Sequence, residues 1–295
     1  MPWALAWERA KPKEKSVTLW DAIILGIVQG LTEFLPISSS AHVRIIGEFL
    51  PGLGDPGATF TAITQIGTEI AVLIYFWPDI AAIIGGWFKS LGRAQIDSDT
   101  KQRARLGWLI IVGTLPIVIV GYTAQDLIRN TFRSLWLVAT VLIVFGLVLY
   151  IADRLGRQEK TLSTLSVGHG LSYGIAQTLA LIPGVSRSGA TIAMGRSLGY
   201  TREQALRFSF LLAIPAVLGS DLYELRTAIV EPALAGGAEL LPTAVATVIA
   251  FGVGYAVIAW LMKFIKTGSF LPFVIYRVGL GLALFALLGA GVISA

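Results

Sequence analysis

Two polar strings interrupt an otherwise apolar chain of 295 residues. The first is Gln29-Gly-Leu-Thr-Glu33-Phe-Leu-Pro36-Ile-Ser38-Ser39-Ser40-Ala-His42. On a helix, Gln29 and Glu33 lie four apart and share one face. Pro36 ends that helix, and Ser38 is placed to cap a second one, presenting hydroxyls and free backbone N–H groups as an anion site. His42 follows one turn into the second helix on the same side, so a carboxylate, an imidazole and hydroxyl donors converge. The second string is Pro183-Gly-Val-Ser186-Arg187-Ser188-Gly189-Ala-Thr191. Its arginine, flanked by serines, has a planar fork that suits phosphate oxygens bidentately. Ser, Gly and Thr around it fit close backbone approach to an anion.

Plainer readings stand beside these. Three serines also make a loop and a cap, and a lone histidine also serves as a satisfied structural residue. Arg187 could be structural, paired with Glu33 or Glu69. An ionisable group inside a membrane protein, however, costs roughly 2.5–3.5 kcal/mol even on the gentler insertion scale, which favours function. Gln65 and Glu69 one turn apart, Asp221 and Arg277 are weaker candidates. Arg277 reads equally as a second phosphate ligand or as an interfacial snorkelling residue.

The elements that must hold these strings are membrane helices. The chain is 55% hydrophobic and 14% charged, with mean hydropathy +0.74, too apolar for an ordinary soluble domain. Six stretches are long enough to cross a bilayer: 67–88, 107–124, 135–152, 205–224, 241–262 and 272–293. The two strings sit instead in short interrupted pieces, 19–35 with 40–50 and 168–182 with 189–199. Interrupted segments at matching positions point to re-entrant or broken helices lining a buried site.

The matching is explicit at an offset of 148 residues, which superposes Gly26, Ile27, Gln29, Ser38, Ser40 and Phe60 on Gly174, Ile175, Gln177, Ser186, Ser188 and Phe208. The expected architecture is an all-α polytopic membrane protein forming one membrane domain over 1–295. Its first repeat is 19–152 and its second is 168–293, each a re-entrant pair, 19–50 or 168–199, followed by three spans. Three is odd, so the repeat is inverted, and the two tips meet near a pseudo-two-fold axis. One tip brings Glu33 and His42, the other Arg187, a division suited to phosphoryl transfer.

Loop charge sets the orientation. Segment 89–105, with Lys89, Arg93, Lys101, Arg103 and Arg105, belongs inside, as do 153–166 and the loop carrying Lys263 and Lys266. The nearly neutral 125–134 and segment 225–239, with Glu231 and Glu239, suit the outside, leaving both termini external. The basic tail with Arg9, Lys11, Lys13 and Lys15 opposes this. A formal net charge of +5 sits in short loops and does not indicate nucleic acid. Without cysteine there is no disulfide and no thiol nucleophile.

Taken together, QGLTEFLPISSSAH and PGVSRSGAT, with FSFLLAIP at 208–215 and LPFVIYR at 271–277, closely resemble the undecaprenyl-diphosphatase family, also known as bacitracin-resistance proteins. The resemblance implies hydrolysis of undecaprenyl diphosphate to the monophosphate carrier and inorganic phosphate, recycling the carrier for peptidoglycan and other envelope polymers. It implies bacitracin resistance, a multi-pass protein of the bacterial plasma membrane with its site open to the outer face, and a divalent cation, Mg²⁺ or Ca²⁺. The lipid substrate and the bilayer are the expected partners, and a homodimer is compatible with the resemblance.

By position, the resemblance makes Glu33 an essential acid, Ser39 and His42 candidates for the attacking or proton-shuttling group, and Arg187 the diphosphate clamp. Gln29, Ser38, Ser40, Ser186, Ser188, Gly189, Thr191 and Arg277 complete the substrate shell. The family pattern is Glu or Gln, then three residues, then Glu, and here it begins with neutral Gln29, leaving Glu33, Gln29 and Glu69 as the metal candidates. The nucleophile stays open among Ser39, His42 and water. The rival class is a polyprenyl-phosphate lipid transporter or flippase, because inverted repeats with broken helices also build transporters.

Overall fold

A computed structural model describes residues 17–51, 53, 56–92, 95–123, 134–230 and 240–293. The basic tail, Arg93, positions 125–133, Glu231 and Glu239 lie outside the described residues. Among the described residues the protein is built from α-helices: α1 Leu19–Thr32, α2 Ser39–Phe49, α3 Ala58–Tyr75, α4 Trp77–Ser90, α5 Ser98–Thr123, α6 Leu135–Leu155, α7 Val167–Thr178, α8 Arg187–Ser197, α9 Arg202–Val230, α10 Leu240–Phe264 and α11 Leu271–Gly289.

Five helices, α5, α6, α9, α10 and α11, are long and apolar enough to cross a membrane. Their exposed residues include Ile119, Val148, Ile151 and Val248. Large apolar side chains on open helix faces mean that the bilayer is the solvent. The protein is a polytopic all-α membrane protein.

The expected span 67–88 is not one helix. α3 and α4 meet at a bend of 73°, because Phe76 adopts φ −95, ψ 11 and Pro78 stands in the first turn of α4. Proline lacks the N–H that would continue the α3 ladder, and its fixed φ suits a helix start. The bend is filled by aromatic packing. Phe76 lies 5.9 Å from Phe210 of α9, and Phe210 makes an edge contact at 5.5 Å with Phe34, the residue after Glu33. The broken helix is thus packed against the base of the first polar string.

α1 and α7 are held by close helix contacts. A Cβ at Gly26 would stand 2.6 Å from the Ala246 carbonyl oxygen of α10, and one at Gly174 would stand 2.2 Å from that of Gly113 in α5. Only glycine permits backbones this near. The short helix of each half therefore docks on a long helix of the other half, α1 on α10 and α7 on α5. This exchange fixes where the two polar tips point.

Candidate active site

Each polar string folds as a helix, a turn and a second helix. Ser38 (φ 75, ψ 96) precedes α2 and Ser186 (φ 70, ψ 115) precedes α8. Among the described residues these are the non-glycine residues with positive φ, and their numbers differ by the same 148. A serine held in this region is strained unless its surroundings impose it.

The Ser186 hydroxyl accepts from the Gly189 N–H at 3.2 Å, capping α8. Ser38 departs from expectation. It occupies the cap position of α2 but makes no side-chain cap bond, and its Oγ lies 3.2 Å from Ser40 Oγ instead.

The tips meet through charge. Arg187 Nη2 donates to Glu33 Oε1 at 2.9 Å, and Nη1 approaches Glu69 Oε1 at 3.4 Å. The side chains of Arg187, Glu33 and Glu69 are only 12%, 5% and 0% exposed. The second oxygen of Glu33 accepts from Ser39 Oγ at 2.6 Å and from Gln29 Nε2 at 2.9 Å. One carboxylate thus collects a guanidinium, a hydroxyl and an amide, while Arg187 pairs with both Glu33 and Glu69. Gln29 fits here as a donor to Glu33, with its own Oε1 buried and unpartnered. Glu69 Oε2 is likewise buried without a partner. One turn back on α3, Gln65 Nε2 faces Asp221 Oδ1 at 3.5 Å.

The remaining expected residues separate. Ser188 Oγ sits 3.1 Å from Ser186 Oγ and donates to the Leu35 carbonyl at 3.3 Å, lacing the tips together. Thr191 Oγ1 donates back to the Arg187 carbonyl at 2.8 Å and pairs with Ser209 of α9, so its hydroxyl supports α8 from behind. Gly189 is where α8 passes Arg277: a Cβ there would lie 2.9 Å from Arg277 Nη1.

Arg277 is not a snorkelling residue. It is fully buried and donates to the carbonyls of Leu142, Pro36, Val185 and Gly184 at 2.8–3.2 Å. Four of its five N–H groups are spent on backbone, two of the carbonyls from the second tip and one from the first. His42 does not join the Glu33 cluster by hydrogen bond. Its Nδ1 meets the Ser38 carbonyl at 2.7 Å, and its Nε2 meets Tyr276 Oη at 2.8 Å.

Two features escaped sequence reasoning. Tyr276 stands in the string LPFVIYR, and nothing local links it to a histidine 234 positions away. At the far end of α8, buried Arg196 bonds Asp153 Oδ1 at 2.9 Å and reaches four carbonyls, those of Asp153, Gly156, Arg157 and Tyr200. Arg202 adds bonds to both Asp153 oxygens at 2.8 and 3.0 Å. An arginine nine residues after Arg187 in the same short helix was the available signal.

Fold and site together define a membrane protein that buries a guanidinium, hydroxyls and carboxylates between two broken-helix tips. Comparison with known proteins gives the family. Residues 22–283 match Bacitracin resistance protein BacA, and the chain belongs to that family. It is 62% identical to the undecaprenyl-diphosphatase of Micrococcus luteus over 279 residues, 95% of this chain and 100% of that protein. It is 59% identical to that of Paenarthrobacter aurescens over 93% of this chain and 99% of that one. With undecaprenyl-diphosphatase 2 of Agrobacterium fabrum it shares 55% identity over 93% and 97% of the two chains.

Proposed function

We propose that this protein hydrolyses undecaprenyl diphosphate to undecaprenyl phosphate and inorganic phosphate within the bacterial plasma membrane, and thereby confers bacitracin resistance. The observation that carries the chemistry is the single carboxylate of Glu33, bonded at once to Arg187 and Ser39. Arg187 and the helix starts of the two tips hold the diphosphate, the guanidinium exchanging carboxylate for phosphate oxygens. The short Ser39–Glu33 bond supports Ser39 as nucleophile and Glu33 as acceptor of its proton. Ser39 Oγ attacks the terminal phosphorus, the bond to the bridging oxygen breaks, and the lipid monophosphate leaves. Water then hydrolyses the phosphoserine. His42 is the remaining acid–base group, returning a proton to a departing oxygen.

A divalent cation, Mg²⁺ or Ca²⁺, belongs to this reading. Among the described residues no three His, Cys, Asp or Glu form a ready-made cage. The donors at hand are hard oxygens on Glu33, Glu69 and Gln29, with Glu69 Oε2 and Gln29 Oε1 unpartnered. This fits an ion that takes one or two carboxylates from protein and the rest from substrate phosphates and water. Bound there, it supplies charge neutralisation to the diphosphate.

The exchange of α1 and α7 between halves and the paired positive-φ serines support an inverted repeat of 19–152 and 168–293. The basic loops at 89–105 and 153–166, read by the positive-inside bias, support an opening of the tips to the outer face. A homodimer would leave each site whole, because every side chain gathered at Arg187 comes from one chain.

Purified protein given undecaprenyl diphosphate with Mg²⁺ or Ca²⁺ is expected to release inorganic phosphate. If it releases none while labelled lipid crosses reconstituted vesicles, the flippase reading replaces this one. Ser39→Ala is expected to lose most turnover, about 100-fold or more, and wild-type turnover in that variant would leave the attack to His42 or water.

A further inference from the structure

The hydrogen bonds of His42 fix its tautomer. The Ser38 carbonyl oxygen can only accept, so Nδ1, 2.7 Å away, carries a hydrogen. In the neutral ring the lone pair is then on Nε2, and the Tyr276 hydroxyl, 2.8 Å away, donates to it. The rings lie nearly parallel, 12° apart with centroids at 5.5 Å. His42 is only 7% exposed, whereas Tyr276 is 47% exposed.

A half-exposed tyrosine contributes little to a core that phenylalanine would not. Its hydroxyl, committed to a buried imidazole, is its distinctive feature. The backbone beneath it is fixed as well. The next residue is Arg277, whose guanidinium grips Pro36 of one tip and Gly184 and Val185 of the other. Tyr276 is therefore placed by both tips at once.

We infer that Tyr276 is the positioning residue of His42: its hydroxyl holds the imidazole with Nδ1–H toward Ser38 and Nε2 as the nitrogen available for proton transfer. The inference rests on the acid–base role given to His42 above. Tyr276 acts through His42, to whose Nε2 its hydroxyl is bonded. Substrate entering between the tips finds an imidazole already oriented, its lone pair shielded by a hydroxyl that can yield.

The chain holds two histidines, His42 and His169, so ¹⁵N-histidine labelling gives a two-residue spectrum. His169, whose Nδ1 meets Tyr200 Oη at 2.8 Å, is the internal control. Wild type is expected to show His42 with Nδ1 protonated and Nε2 bare. Tyr276→Phe keeps the ring and is expected to shift the His42 Nε2 resonance, leave the His169 signals in place, and lower kcat about 10-fold with KM within about two-fold.

In a His42→Ala background the same substitution is expected to change nothing further, since its effect passes through the imidazole. Unchanged His42 resonances in Tyr276→Phe, or an undiminished kcat loss in the His42→Ala background, would overturn the inference. Full activity in His42→Ala alone would instead remove the acid–base role and show that Tyr276 orients a ring the reaction does not need. The resonance shift separates that failure from a failure of the hydrogen bond itself.

Discussion

Arg187 and Arg277 look alike in the sequence, one in each of two late motifs, yet their surroundings give them opposite work. Arg187 faces carboxylates, partners that a diphosphate can replace, and it keeps slight exposure at 12%. Arg277 faces carbonyls of the protein's own backbone and is sealed. Removing Arg277 strands four carbonyls, so Arg277→Met is expected to lower stability by several kcal/mol, at about 1–3 kcal/mol for each buried group left unpaired. Thermal unfolding in detergent reads this directly, and an unfolding temperature equal to wild type would contradict the tie between tips.

Glu33→Gln keeps the shape but removes the charge that accepts the Ser39 proton. A loss of about 100-fold or more in kcat is expected, and full activity would strip Glu33 of its role. Much of this cluster was legible beforehand, because Gln29 and Glu33 are helical neighbours and Arg187 stands among serines in an apolar chain. Glu69 was named only as an alternative to Glu33 beside Arg187, and its pairing together with Glu33, Tyr276 on His42 and the burial of Arg277 were not legible. Each depends on helices crossing at angles that local periodicity does not encode.

At the level of helices, two close approaches and one break set where the tips converge. Gly174 against Gly113, and Gly26 against Ala246, let α7 and α1 sit where their tips converge. Gly174→Ala is expected to cost about 1–3 kcal/mol as the helices are forced apart. Gly85→Ala, on α4 where a Cβ meets nothing within 4 Å, is expected to be neutral or slightly stabilising from helix propensity. Equal unfolding temperatures for the two variants would remove close approach as the reason for these glycines. The helix boundaries were largely readable from apolar length and from Pro36, and the short helices on either side of each polar string fell within a few residues of expectation. The bend at Phe76 was missed because both sides of it are apolar, so hydropathy runs through it unbroken. Pro78 in the first turn of α4 was the local sign.

For the molecule as a whole, orientation and chemistry are separable questions. The absence of cysteine makes orientation easy to measure with single introduced thiols. With an impermeant maleimide on intact cells, Thr123→Cys at the end of α5 is expected to label, and Ser163→Cys in the basic 153–166 loop is expected to label only after lysis. The reverse pattern would place the opening between the tips on the cytoplasmic side while leaving the site chemistry intact.

The central claim is that a buried, bidentate guanidinium presented to a lipid diphosphate drives hydrolysis. Phosphate release from undecaprenyl diphosphate by purified wild type and Arg187→Lys, at saturating Mg²⁺ or Ca²⁺, tests it most directly. The lysine keeps the charge and loses the fork. Release is expected to fall about 100- to 1,000-fold in the variant. Wild-type release from Arg187→Lys would contradict the clamp.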